Sequence, residues 1–163
     1  MYKVGDYIVY KKDVCIIKDV KLNSFNNEYY YSLLPINDKS LKIDIPVSDK
    51  LNNIRDLISK KEIENIIKQI PNIPIIESDD KYIESEYKKL LSSNNHFNLI
   101  RIIKTTYLRN KDRIDNKKKI SDKDNSYFNL AEKYLYNEFS IVLGLSFDDT
   151  KKYIMDNVTA LKN

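Results

Sequence analysis

The chain has 163 residues, 28 Lys and Arg against 24 Asp and Glu for a net charge of +4, and 42% hydrophobic residues. That length holds one domain or two small ones, and the apolar fraction is enough for a packed core. No run approaches the roughly 18 apolar residues of a membrane span and the first residues show no apolar signal region, so a cytoplasmic protein is expected. A single cysteine, Cys15, excludes an internal disulfide and a cysteine-rich metal site.

The first part of the chain reads as β structure. Gly5, one of only two glycines, stands in "VGD" ahead of "YIVY", where a residue free to take positive φ can launch a strand. "VCIIKDV", "EYYYSLL" and "LKIDIPV" follow, rich in Ile, Val and Tyr and separated by the polar stretches "NSFNNE" and "INDKS". Leu41, Ile43 and Ile45 alternate with Lys42 and Asp44, which marks a half-buried strand, and Pro46 marks its end or a sheet edge. Cys15, inside the first apolar run, reads as a buried and inert thiol. Strands this short and close together make a small curled sheet or an SH3-like barrel.

Near residue 57 the apolar period changes from that of a strand to that of a helix. The boundary separates a β domain, residues 1–57, from an all-α domain of about five helices, residues 58–163, giving an α+β chain. Ser59 and Glu62 form a capping box ahead of Ile63, Ile66, Ile67 and Ile70, and Pro71 and Pro74 close that helix. Ser78 is placed to cap a second helix, "DDKYIESEYKKLLSS", that buries Ile83, Tyr87, Leu90 and Leu91. A third begins after "NNH" with Ile100, Ile103 and Tyr107 on one face, and Arg101, Lys104 and Lys111 point away from it. "RIDNKKKI" reads as a charged connector. Ser121 with Asp124 signals a fourth helix striped by Phe128, Ala131, Leu135 and Phe139. Gly144 suits its C-cap, and Ser146 with Asp149 opens a fifth.

Catalytic and cofactor chemistry finds little footing. His96, the one histidine, lies in the polar "SSNNHF" with no cysteine or second histidine beside it, and reads as a solvated loop residue. Two isolated glycines cannot build a phosphate cradle. The pairs Asp79–Asp80 and Asp148–Asp149 fall at predicted helix starts, where the macrodipole favours negative charge. No nucleophilic triad can be assembled without a credible base. The expectation is a protein that is not an enzyme, with no cofactor, metal or small-molecule substrate. The 13 tyrosines raise base stacking as a role. Core and cross-strand packing is the simpler account of Tyr29, Tyr30 and Tyr31 in a strand and of Tyr87, Tyr107 and Tyr134 on helical stripes.

The charge is local. Residues 101–119 hold Arg101, Lys104, Arg109, Lys111, Arg113, Lys117, Lys118 and Lys119 against only Asp112 and Asp115, a net +6 that leaves −2 for the remainder. A patch of this kind suggests an acidic partner such as nucleic acid.

In series, "VGDYIVY", "VCII", "YYYSLLPI", "IDIPV" and "IRDLIS" resemble the N-terminal module of the CarD family of bacterial transcription regulators, a module similar to one in the transcription-repair coupling factor. "EYKKLLSSNN", "LIRIIKTTYLR" and "AEKYLYNEFSIVLGLS" resemble that family's helical half, so the likeness covers roughly residues 2–150. It implies a Tudor-like domain that docks on the β subunit of RNA polymerase, here through Lys42 and Asp44 with Lys21 and Asn23. It also implies a helical domain that contacts promoter DNA without strong sequence preference and modulates open-complex stability. That DNA surface would comprise the eight basic residues of 101–119 together with Tyr82 and Lys88. Many members carry a tryptophan wedge near the start of these helices. This chain has no Trp, and Tyr82, beside Lys81, is the nearest aromatic; packing against its helix pair is the plainer role for it. The competing reading is a protein-interaction adaptor whose basic helix is only a solvated face.

Overall fold

The computed structural model describes residues 1–162, without the side chains of Ala160 and Lys162. The chain divides into two compact units, Met1–Leu57 and Ile58 onward.

The first unit is an antiparallel sheet of β1 (Tyr7–Tyr10), β2 (Asp13–Asn23), β3 (Glu28–Pro35), β4 (Ile43–Pro46) and β5 (Ile54–Arg55), in the order β4-β3-β2-β1-β5. Gly5 takes φ +93°, and its N–H donates to Ile17 O at 2.8 Å, which ties the turn before β1 to β2. A tight turn at Lys11 and Lys12 joins β1 to β2. β2 and β3 form the longest hairpin, with a bulge between Ile17 and Asp19 that adds twist. Ile8, Cys15, Ile17, Tyr31, Leu33 and Ile45 alternate inward from four strands and make one apolar cluster. β4 and β5 are both edges with no ladder between them, so the sheet stays open and the expected barrel does not close. β5 is two residues long, too short to carry the sheet round.

The second unit contains α1 (Lys60–Gln69), a short 3-10 turn at Ile70–Asn72, α2 (Ile83–Ser92), α3 (His96–Asp115), α4 (Asp122–Leu143) and α5 (Phe147–Lys162). The Ser59–Glu62 box closes reciprocally, Glu62 N–H to Ser59 Oγ at 3.1 Å and Ser59 Oγ to Glu62 Oε1 at 2.9 Å. Gly144 ends α4 at φ +67°, and Ser146 Oγ accepts the Asp149 N–H at the head of α5. α2 starts later than its sequence suggests. Ser78 does not cap it, because Asp79 O takes the N–H groups of Tyr82 and Ile83, leaving Ser78, Asp79 and Asp80 in the approach to the helix.

The buried face of α3 also departs from expectation. Ile100 is buried and Ile103 packs against the core as expected, beside Leu99, Ile102 and Thr106. In the second half, however, Arg109 and Arg113 continue the line of Leu99, Ile102 and Thr106 along steps of three and four. Tyr107 and Ile114 are turned out to solvent, 56% and 60% exposed. Arg109 and Arg113 turn toward a buried acid on α4. Among the described residues no helix is long and apolar enough to cross a membrane.

Candidate nucleic-acid interface

The eight basic residues of 101–119 separate into two groups. Arg101 Nε donates to Pro74 O at 3.2 Å, and Lys104 Nζ donates to Ile70 O at 2.8 Å and Ile73 O at 2.6 Å. These carbonyls belong to the 3-10 turn after α1 and the residues that follow it, and Ile70 O also accepts the Ile73 N–H. Thr105 Oγ1 accepts the Ile76 N–H at 2.8 Å from the same connector. Arg101, Lys104 and Thr105 therefore hold residues 70–76 in place. Arg101 and Lys104 do not point away as free cations.

Arg109 and Arg113 serve a second internal role. The Asp124 carboxylate, fully buried in the first turn of α4, accepts from Arg113 Nη1 at 2.7 Å, Arg109 Nε at 2.9 Å and Tyr87 Oη at 2.8 Å. Arg109 Nη2 reaches Asp80 at 2.6 Å. Burial by itself pushes the Asp124 carboxyl up, but the hydrogen bonds from Arg113, Arg109 and Tyr87 outweigh it and hold the group below the usual carboxylate range. Burial and the Asp124 carboxylate raise the Tyr87 hydroxyl well above its ordinary value. The hydrogen bond from Arg109 holds Asp80 low, which gives this acid a pairing role in place of helix capping. Asp124 had only its capping signal in the sequence, and its N–H does donate to Ser121 Oγ at 3.1 Å. Nothing local distinguished a capping acid from a buried one.

Four cations remain: Lys111, Lys117, Lys118 and Lys119, all exposed and none with an ion pair or hydrogen bond from its side chain among the described residues. They sit on the last turns of α3 and the link to α4. Lys117 takes φ +58°, and backbone N–H groups of Lys117 and Lys118 cap the α3 carbonyls of Ile114 and Arg113. Of the nearby acids, Asp112 accepts from Asn116 Nδ2 at 3.3 Å and Asp115 is exposed. Tyr82 is the N-cap residue of α2 and is 55% exposed, with Lys81 Nζ at 5.4 Å from its ring; it does not pack into the helix pair. Lys88 lies 3.8 Å from Glu84, an exposed pair of little energetic weight.

His96 is the first residue of α3 and is not a solvated loop group. Its Nε2 lies 2.8 Å from Oε1 of buried Glu138, whose other oxygen accepts the Ile58 N–H at 2.8 Å. Glu132, also buried, pairs with Lys151 at 3.2 Å, and burial raises its carboxyl. No group of residues able to hold a metal ion occurs among the described residues.

In the β unit, Lys42 and Asp44 lie at the open β4 edge. Val47 N–H donates to Tyr29 O, so Ile45 and Ile43 share that hydrogen-bonding phase while the Asp44 backbone faces outward. Ser32 and Asp44 are then a close, non-hydrogen-bonded pair, and Ser32 Oγ donates to Asp44 Oδ1 at 2.6 Å. Lys21 and Asn23 are on β2, with β3 between them and the edge. They share the sheet face of Asp44 but do not line its edge. Lys21 pairs with Asp19 at 3.5 Å, and Asn23 Oδ1 accepts the Phe25 N–H in the hairpin loop.

Compared with known protein families and with curated proteins, the chain matches none.

Proposed function

We propose that the protein is a non-enzymatic, CarD-like transcription regulator whose Tudor-like β unit docks on the RNA polymerase β subunit and whose helical unit contacts DNA phosphates. The observations that carry this reading are an open sheet edge in one unit and, in the other, four unpartnered lysines along the last turns of α3 and the link after it. An edge strand can be extended by a strand of a partner protein. At β4 that strand would meet the outward Asp44 backbone, and Pro46, which has no N–H, would limit its length. Lysines on a helix end hold phosphates as point charges and fix position without reading bases. The resemblance in sequence runs through both units in the same order.

A second reading, a protein adaptor that never touches DNA, gains from the internal use of Arg101, Lys104, Arg109 and Arg113, which reduces the free patch to four cations. Two measurements on the full chain separate them. Purified RNA polymerase should be retained by the immobilised protein, and K42E with D44K should weaken retention. Duplex DNA should bind with an affinity that falls steeply with salt, at a log–log slope of about −0.9 per phosphate neutralised. Replacing Lys111, Lys117, Lys118 and Lys119 by Gln should remove that dependence. Polymerase binding without any salt-dependent DNA binding selects the adaptor. No polymerase binding overturns the docking role.

A further inference from the structure

We infer that the outer face of the second half of α3 is a seat for single-stranded nucleic acid, with an unpaired base stacked on Tyr107 and a neighbouring phosphate held by Lys111. This deepens the DNA-contact reading above and rests on it.

Tyr107, Lys111 and Ile114 follow one another at steps of four and three, so they share one side of the helix. That side is opposite the Arg109–Arg113 face fastened to Asp124, and the buried acid therefore decides which residues are shown to solvent. A lone exposed apolar side chain is unremarkable on a surface. Here Tyr107 and Ile114 lie about 10 Å apart along the axis, both more than half exposed, with an unpartnered lysine between them and more at the helix end. An exposed aromatic face with cations along one side has the chemistry of a base stacked on the ring and the adjoining backbone phosphates on the lysines. The tyrosine hydroxyl has no partner among the described residues, and its ring has no aromatic neighbour to hold it inward. Asp115 is exposed near the end of α3 and has no side-chain partner among the described residues, so it opposes an anion and gives the site a charge that can be tuned.

The same features disfavour paired DNA as the occupant of the ring. In a duplex the base faces are covered by their neighbours, and exposing one costs unstacking energy. A strand that is already unpaired offers its face freely. The lysines bind phosphates in either form.

The test uses the full chain with short oligothymidylate, short oligouridylate and a duplex of equal length, each followed by fluorescence anisotropy. Y107A should weaken single-strand binding about tenfold, the scale of one lost base–aromatic stack, and leave duplex binding unchanged. Y107F should restore it. D115N should tighten all three. Because ring face and phosphate are common to DNA and RNA, a preference between the two oligomers identifies the natural source of the strand. Wild-type affinity for single strands in Y107A, with duplex binding intact, overturns this inference and spares the DNA-contact reading. Loss of polymerase retention in Y107A without loss of single-strand binding assigns the face to protein and overturns it as well. Failure of the wild type to bind either nucleic acid overturns both.

Discussion

Replacing Asp124 by Asn asks whether a charge network, more than apolar contact, sets the face that α3 presents. The carboxylate is fully buried and accepts three hydrogen bonds, two from guanidinium groups and one from Tyr87. Asparagine keeps the shape but retains a single acceptor oxygen and turns an NH2 group toward donors. Removing one partner of a buried ion pair costs about 3–5 kcal/mol. Arg109 and Arg113 keep 23% and 24% of their side chains in water, and Arg109 keeps Asp80, so both can partly rehydrate. The expected loss therefore lies at the low end, about 3 kcal/mol. Equilibrium urea unfolding followed by helical circular dichroism should show it as a midpoint lower by about 1–3 M, given a slope of about 1–3 kcal/mol per M. The pH dependence carries a sign. The folded Asp124 is held below its unfolded value, so its contribution is complete above about pH 4 and is lost as pH falls through the folded value. The gap between wild type and D124N should accordingly close in acid. A loss under about 1 kcal/mol at neutral pH, or a gap that widens in acid, refutes the reasoning.

Cys15 is fully buried, and burial together with Asp13 pushes its thiol up to about 11, so a thiol reagent at pH 8 should label the native chain only as fast as the sheet opens. Immediate stoichiometric labelling without denaturant would show that the thiol is reachable. G144A should cost about 1–2 kcal/mol for placing a side chain at left-handed φ. No atom lies within 4 Å of the added Cβ, so the cost is conformational alone and G144N should recover part of it in the same urea measurement.

Local pattern alone determined most of the element order. The alternation in "LKIDIPV", the Ser59–Glu62 box, Gly144 at a left-handed C-cap and the change of period ahead of Ser59 are properties of neighbouring residues. Backbone sterics and short-range hydrogen bonds act on them before any long contact forms. What the residues of α3 do was decided elsewhere. Of its stripe of Ile100, Ile103 and Tyr107, the first is buried and the second packs against the core as the spacing predicts, and only Tyr107 is turned out. Asp124, 11 residues beyond Arg113, lies outside any local pattern, and a carboxylate taken out of water must gather its counter-charges. That requirement turned Arg109 and Arg113 inward, exposed Tyr107, and left the four lysines as the free charge of the patch. His96 follows the same logic, since the partner that draws it out of solvent, Glu138, lies 42 residues away. The open sheet, too, is a tertiary outcome. Strand number is written locally, but closure depends on whether the last strand is long enough to meet the opposite edge, and β5 is not.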